Sequence, residues 1–325
     1  MSMKASYLLL LVFILIHLVL SATCPDGSKL PASCQCYDFV GDGVEIEIAC
    51  NGASLEELKA ALYLIDASIR LEVQLNGMSL QSMPSKIFDG WNVVKLEIEQ
   101  CDLDSLAEQG EVALSGLENT LEELIITSSF TEENQPTKLD LSHLRRLREL
   151  DLSFNVITEL GDDWFSLGSD TLSDLILSNN RIQRLGDWAF ANLVNLRLLW
   201  VEGNRFGSIK RSMLPSPAIW LENLQLDNNA FTSVPDDIFL KMPALTDISL
   251  ANNGFTHIPE STYESVWSQL MTFDISGNPI ECDSHIDWII EAESDVSVSG
   301  TCSGPLGRSG MDLEELIKKK TRFLI

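Results

Sequence analysis

A chain of 325 residues carries 48 acidic against 22 basic side chains, a formal net charge of −26. So anionic a surface makes nucleic acid, heparin-like polymers and anionic membranes poor partners and leaves cationic proteins as the electrostatically favoured ligands. No N-x-S/T sequon occurs, which removes N-glycosylation and argues against a heavily glycosylated matrix component.

The chain opens with MSMKASYLLLLVFILIHLVLSAT, in which Lys4 precedes an apolar run from Tyr7 to Leu20 and the small residues Ser21 and Ala22 follow. The run of 14 residues is short of the roughly 20 needed to span a bilayer, so residues 1–22 are expected to be a signal peptide. No second apolar run follows, and the terminal KKKTRFLI lacks the tail that a lipid-anchor signal needs. The expected mature protein is secreted and has no membrane anchor.

Export implies oxidising conditions, so the seven cysteines are read first as a disulfide framework. Cys24, Cys34, Cys36 and Cys50 cluster within residues 23–66, and Cys282 and Cys302 lie within residues 281–325. Cys101 stands alone between them.

Residues 67–280 are self-similar, and such periodicity has to be read before any local pattern. LRELDLSFN ends at Asn155, and related phrases end at Asn180, Asn204, Asn229, Asn253 and Asn278, with gaps of 25, 24, 25, 24 and 25 residues. Apolar residues follow each of the first five at +2 and +5, as at Ile157 and Leu160. Eighteen residues beyond the first Leu of a unit comes a large apolar residue, Phe165, Phe190, Leu214, Phe239 or Tyr263, which should form a packing spine. Upstream the pattern loosens, with Met78, Cys101 and Ser129 where Asn stands later. Nine units result, beginning near Arg70, Val93, Leu121, Leu147, Leu172, Leu196, Leu221, Leu245 and Leu270. The longer spacings of 28 and 26 residues around Leu121 place insertions in EQGEVALSGLEN and SFTEENQPTK.

The unit LxxLxLxxNxLxxL resembles the leucine-rich repeat. That resemblance implies an α/β solenoid: a curved horseshoe with a parallel sheet on its concave face, an irregular convex side and disulfide-capped ends. The chain turns after each short strand and leaves backbone groups without strand partners, and an Asn side chain, both donor and acceptor, can satisfy them turn after turn. The asparagines are thus expected to be structural. CPDGSKLPASCQC with Cys50 is similar to the N-terminal cap of extracellular leucine-rich repeat proteins, and NPIECDSHIDWII to their C-terminal cap. By that resemblance Cys24 pairs with Cys36, Cys34 with Cys50 and Cys282 with Cys302. Ser284 stands where the family generally has a further Cys. A signal peptide, a CxC-containing cap, a degenerate opening around ASLEELKAAL and about nine repeats also resemble the layout of the non-catalytic subunit family of oplophorus-luciferin monooxygenase and its arthropod relatives.

Alternate strand residues face opposite ways, so the concave columns can be read directly. The middle column is Gln74, Glu97, Ile125, Asp151, Ile176, Trp200, Gln225, Ser249 and Asp274. Most of the inner face is acidic or small and polar. Ile176, Leu198 and Trp200 should make an apolar patch rimmed by Glu149, Asp151, Asp174, Glu202 and Asp227, which is how protein-binding sites look. The competing expectation is that Trp200 merely packs flat on neighbouring strands and that the acids only keep the surface soluble.

Little points to chemistry. Beyond His17 of the leader, His143, His257 and His285 come from separate stretches, and no G-x-S-x-G accompanies them. GDGVEIE and PDDIF lack the spacing of a calcium loop. No enzyme activity, cofactor or metal is expected, and Cys101 reads as a buried thiol in place of Asn. The tail MDLEELIKKKTR places acids before bases along a short helix, with a docking role for Lys318, Lys319 and Lys320 as the lesser reading. The functional expectation is a secreted binding module for a basic or amphipathic extracellular protein. The alternative is a non-catalytic accessory subunit of an extracellular enzyme.

Overall fold

The computed structural model describes residues 23–41, 43–132, 136, 139–292 and 295–323; the expected signal peptide lies outside them. Twelve strands form one sheet in chain order. Two belong to the N-terminal end, β1 (Cys34–Gly41) and β2 (Val44–Asn51), which pair antiparallel. Nine parallel strands follow, one for each unit of the repeat. The first three are β3 (Leu71–Asn76), β4 (Val93–Glu99) and β5 (Glu123–Thr127). The others are β6 (Glu149–Asp151), β7 (Asp174–Ile176), β8 (Leu198–Trp200), β9 (Asn223–Gln225), β10 (Asp247–Ser249) and β11 (Thr272–Asp274). The C-terminal end adds β12 (Ser297–Ser299), parallel to β11.

The register is the one that the repeat period dictates. Asp151 pairs with Ile176, Ile176 with Trp200, Trp200 with Gln225 and Gln225 with Ser249, so the middle column is a straight row across the sheet. Residues of opposite parity point inward: Leu150, Leu175, Leu199 and Leu224 are buried, as are Leu152, Leu177, Val201 and Leu226. Each such side chain contributes roughly 1.5–3 kcal/mol relative to exposure, which is why the repeats stack rather than stand alone. On the convex side Phe190, Leu214, Phe239 and Tyr263 are buried in the expected spine. The earliest member differs: Trp164 is buried and Phe165 only half-buried. The larger indole takes the inner slot and the Phe165 ring packs against it, centroids 6.3 Å apart.

After each strand the backbone turns through a left-handed residue, Phe154, Asn179, Gly203, Asn228, Asn252 and Gly277 in successive repeats, with φ of 51–69°. At Gly203 a Cβ would lie 2.6 Å from the Asn179 amide oxygen and 3.2 Å from its backbone nitrogen, so any other residue would displace the Asn179 side chain as well as strain the turn. The next residue is the ladder asparagine. Asn204 donates to the carbonyls of Leu177, Val201 and Glu202 at 2.9, 3.0 and 3.3 Å and accepts the Ile182 N–H at 3.0 Å. Asn155, Asn180, Asn253 and Asn278 repeat this scheme, and Asn229 repeats its donor half. All but Asn253 are buried.

The ends are closed differently from the middle. Helix α1 (Leu55–Leu62) starts in a capping box, Ser54 with Glu57, and buries Leu58, Ala61 and Leu62. Disulfides join Cys24 to Cys36 and Cys34 to Cys50, the latter across directly opposed positions of β1 and β2. At the other end α2 (Glu260–Trp267) and α3 (Asp287–Glu291) bring together Tyr263, Trp267, Phe273 and Trp288, with Trp267 and Trp288 edge to face at 4.7 Å. The Cys282–Cys302 disulfide and α4 (Leu313–Phe323) complete this cap. In α4, Lys318 pairs with Glu314 one turn earlier. The side chains of Lys319 and Lys320 lie outside the described residues. Among the described residues no helix is long and apolar enough to cross a membrane.

Candidate functional site

The exposed face of the twelve-stranded sheet is built from the alternate residues that the core rejects. Ile176 on β7 and Trp200 on β8 are directly paired, and Leu198 sits beside Asp174 in the preceding column. All three are half-buried. The indole N–H of Trp200 donates to the Asn223 side-chain oxygen on β9 at 3.0 Å, and Gln225 donates to the same oxygen at 3.0 Å. The polar tip of the tryptophan is therefore satisfied by the next strand, while part of its ring remains open to solvent. Ile125, two strands away from Ile176, stands in the same row beyond Asp151.

The charged residues of this face divide into two electrostatic settings. Toward the N-terminal end, Lys95 on β4 reaches Glu97 at 2.7 Å, Glu72 at 3.1 Å and Glu123 at 4.0 Å. Burial works against the Lys95 charge, yet Glu97 and Glu72 hold its ammonium well above the ordinary lysine range. Toward the middle, Glu149, Asp151 and Asp174 occupy adjacent positions on β6 and β7. Burial and the charges of Glu123, Asp174 and Asp151 push the Glu149 carboxyl up. Burial also raises Asp227, against the hydrogen bonds that it accepts from Ser249 and from the Ala251 N–H. Asp151 accepts the Ser153 N–H at 2.7 Å, which fixes its carboxylate at the end of β6. One oxygen of Glu202 is buried with no hydrogen-bond partner among the described residues. In the middle and preceding columns of β3–β11, Lys95 is the sole cation.

A second charged group lies at the strand starts. Glu122, 7% exposed, is met by Arg70, Arg146 and Arg148, with the Arg146 contact at 2.7 Å. Burial alone would raise its carboxyl, but the three guanidiniums hold it below the usual range. The charges in HLRRLREL are the signal that sequence reading could have used to find this cluster.

Other candidates fall elsewhere. His143 makes a 2.8 Å hydrogen bond to the Ala113 carbonyl, tying one insertion to the next repeat beside a cavity of about 600 Å³ lined by Leu106, Val112, Phe130 and Pro136. Cys101 is buried and unpaired, and burial pushes its thiol up. His257 and His285, read above as separate, meet: their rings lie 5.6 Å apart at right angles. The connection from β10 and the start of the C-terminal cap are neighbours only once the coil is wound. Sequence reading also passed over Phe154, an aromatic 60% exposed on left-handed backbone three residues beyond the end of β6.

Comparisons agree with this architecture. A model described as "Leucine rich repeat" matches residues 145–206 and 220–280. The Oplophorus-luciferin 2-monooxygenase non-catalytic subunit of Oplophorus gracilirostris is 24% identical over 310 residues, 84% of this chain and 80% of that protein. Fibromodulin of Sus scrofa is 32% identical over 152 residues, 46% of this chain and 98% of the fibromodulin sequence. Lumican of Rattus norvegicus is 30% identical over 149 residues, but this chain spans only 41% of its length. Among solved structures, a chain of the octameric complex of Latrophilin 3, Unc5D and FLRT2 (LRR) superposes with a TM-score of 0.51 at 18% identity, covering 74% of this chain and 79% of that one. With its buried leucine rows, its asparagine ladder and disulfides at both ends, the chain belongs to the leucine-rich repeat family.

Proposed function

We propose that this protein is a secreted, non-enzymatic binding module whose concave face docks a basic or amphipathic extracellular protein. The observation that carries the reading is the half-buried group Ile176, Leu198 and Trp200 amid carboxylates on β6–β9, strands whose middle and preceding columns hold no Lys or Arg. A partner that covers the apolar group and brings Lys or Arg to Glu149, Asp151, Asp174, Glu202 and Asp227 relieves repulsion while it buries apolar surface. Export follows from the leader, residues 1–22, and the repeat array of 67–280 lies between caps at 23–66 and 281–325. The test is capture from the extracellular fluid of the source organism on immobilised protein, with Trp200→Ala as control. Loss of the Trp200 ring should weaken binding of the captured protein by about 2 kcal/mol or more, as expected of a central aromatic. Its thermal midpoint should change little, because the leucine rows are untouched. Charge reversal at Glu149 and Asp174 should act mainly on association rate and salt dependence. Equal capture by wild type and Trp200→Ala would end the proposal.

The second reading is an accessory subunit of an extracellular enzyme. It is favoured by the 24% identity that extends over 80% of the Oplophorus non-catalytic subunit. Purification from the native source decides it: a subunit arrives with a catalytic chain in fixed stoichiometry, and a free binding module does not.

A further inference from the structure

Of the three histidines beyond the leader, two meet where the eighth repeat touches the C-terminal cap. His257 lies between β10 and α2 on a segment pinned to the cap on either side of it. The Glu281 N–H donates to the Thr256 carbonyl at 2.9 Å, and the Trp288 indole donates to the Ile258 carbonyl at 2.8 Å. Across from it, Asp283 follows directly on disulfide-bonded Cys282 and accepts both the backbone N–H and the ring Nδ1 of His285 at 2.8 Å. Arg308 braces the same turn through the Cys282 carbonyl at 3.0 Å and the Asp287 carboxylate at 3.1 Å. One ligand atom from each of His257, Asp283 and His285 lies within 4.8 Å of the other two.

Two imidazoles and a carboxylate are a donor set for a borderline divalent ion rather than for calcium, which takes six to eight oxygens. A tetrahedral ion bound at about 2.0–2.2 Å holds its ligand atoms roughly 3.3 Å apart, so only modest rotations of these exposed side chains are needed. Their backbones are fixed by the bonds just described, and the net charge of −26 attracts any dication. We propose that His257, Asp283 and His285 form a Zn²⁺ site that ties the eighth repeat to the C-terminal cap, with water completing the coordination.

The test is calorimetric titration of the full mature chain, stripped with chelator, with ZnCl₂ near neutral pH, alongside native mass spectrometry and melting curves. One equivalent should bind and raise the thermal midpoint, because a ligand held only by the folded state stabilises it. Removing a direct ligand should cost at least the roughly tenfold that loss of an outer-shell partner costs, so His257→Ala and His285→Ala should each weaken binding about tenfold or more. Asp283→Asn should weaken it as well. CaCl₂ should not compete. The metal-free midpoints of the exposed His257→Ala and His285→Ala variants serve as the folding control and should match wild type. Absence of a single-equivalent phase, equal affinity in His257→Ala, or competition by CaCl₂ would each overturn the site and point to diffuse binding by surface carboxylates.

Discussion

In the first three repeats the turn after the strand is closed by Met78, Cys101 and Ser129, whereas the next six close it with asparagine. The strands differ in step: β3, β4 and β5 have 6, 7 and 5 residues, while β6–β11 have 3 each. The ladder nevertheless runs unbroken between the regions. The Met78 N–H donates to the Cys101 sulfur at 3.4 Å, the Cys101 N–H to the Ser129 hydroxyl at 3.1 Å, and the Ser129 N–H to the Asn155 amide oxygen at 2.9 Å. Ser129 in turn donates toward the carbonyls of Ile98 and Thr127 at 3.2 and 2.8 Å, the positions relative to itself that an asparagine amide serves. A single sulfur or oxygen thus fills the same two roles with fewer and weaker bonds, and longer strand pairing supplies the rest. Charge divides along the same line. Lys95 and the arginines around Glu122 neutralise the early carboxylates, and the middle of the sheet leaves Glu149, Asp151 and Asp174 crowded.

The comparison is broken most directly at the ladder. Asn204→Ala should lose about 3 kcal/mol or more in a denaturant series, since the removal strands several buried backbone groups at roughly 1–3 kcal/mol each. Asn228→Ala, one position before a ladder residue and exposed, should cost only about 1 kcal/mol, the left-handed penalty for a non-Asn side chain. Equal losses would remove the ladder as the explanation of the repeat.

Glu122→Gln should cost about 2 kcal/mol at neutral pH, because three guanidiniums lose their buried carboxylate. The folded carboxyl lies below its unfolded value, so this stabilisation is fully present above about pH 4.3 and is lost as pH falls through the folded value. Melting curves of the variant and wild type should therefore converge in acid.

Cys101→Ala should cost about 1 kcal/mol, less than any ladder asparagine, because the thiol's hydrogen bonds are weak. In the native state the thiol should resist alkylation, and it should react once the chain is unfolded.

The smallest effect has the opposite sign. Glu149→Gln should stabilise by about 0.5 kcal/mol after allowance for solvent screening. The folded Glu149 carboxyl lies above its unfolded value, so its cost is fully present above the folded value and is relieved as pH falls to about 4.3 and below. A neutral-pH gain that fades in acid would confirm the contrast with Glu122, and a loss would mean that the middle of the sheet is not electrostatically strained.

What the sequence determines by itself is the set of rows. A strand alternates with period two, and a coil that advances 24 or 25 residues per turn brings equivalent positions side by side, so the spacing alone aligns Asp151, Ile176, Trp200 and Gln225. The same arithmetic assigned Asn204 to the ladder, because a fixed polar residue among leucines needs a buried partner. Tertiary structure alone decided where long side chains go and which loops touch. Trp200 turned its N–H to Asn223, Trp164 displaced Phe165 from the spine, three arginines converged on Glu122, and His257 met His285. These outcomes depend on rotamers and on the winding of connections of unequal length. Neither follows the repeat period, so neither is written in the spacing of residues along the chain.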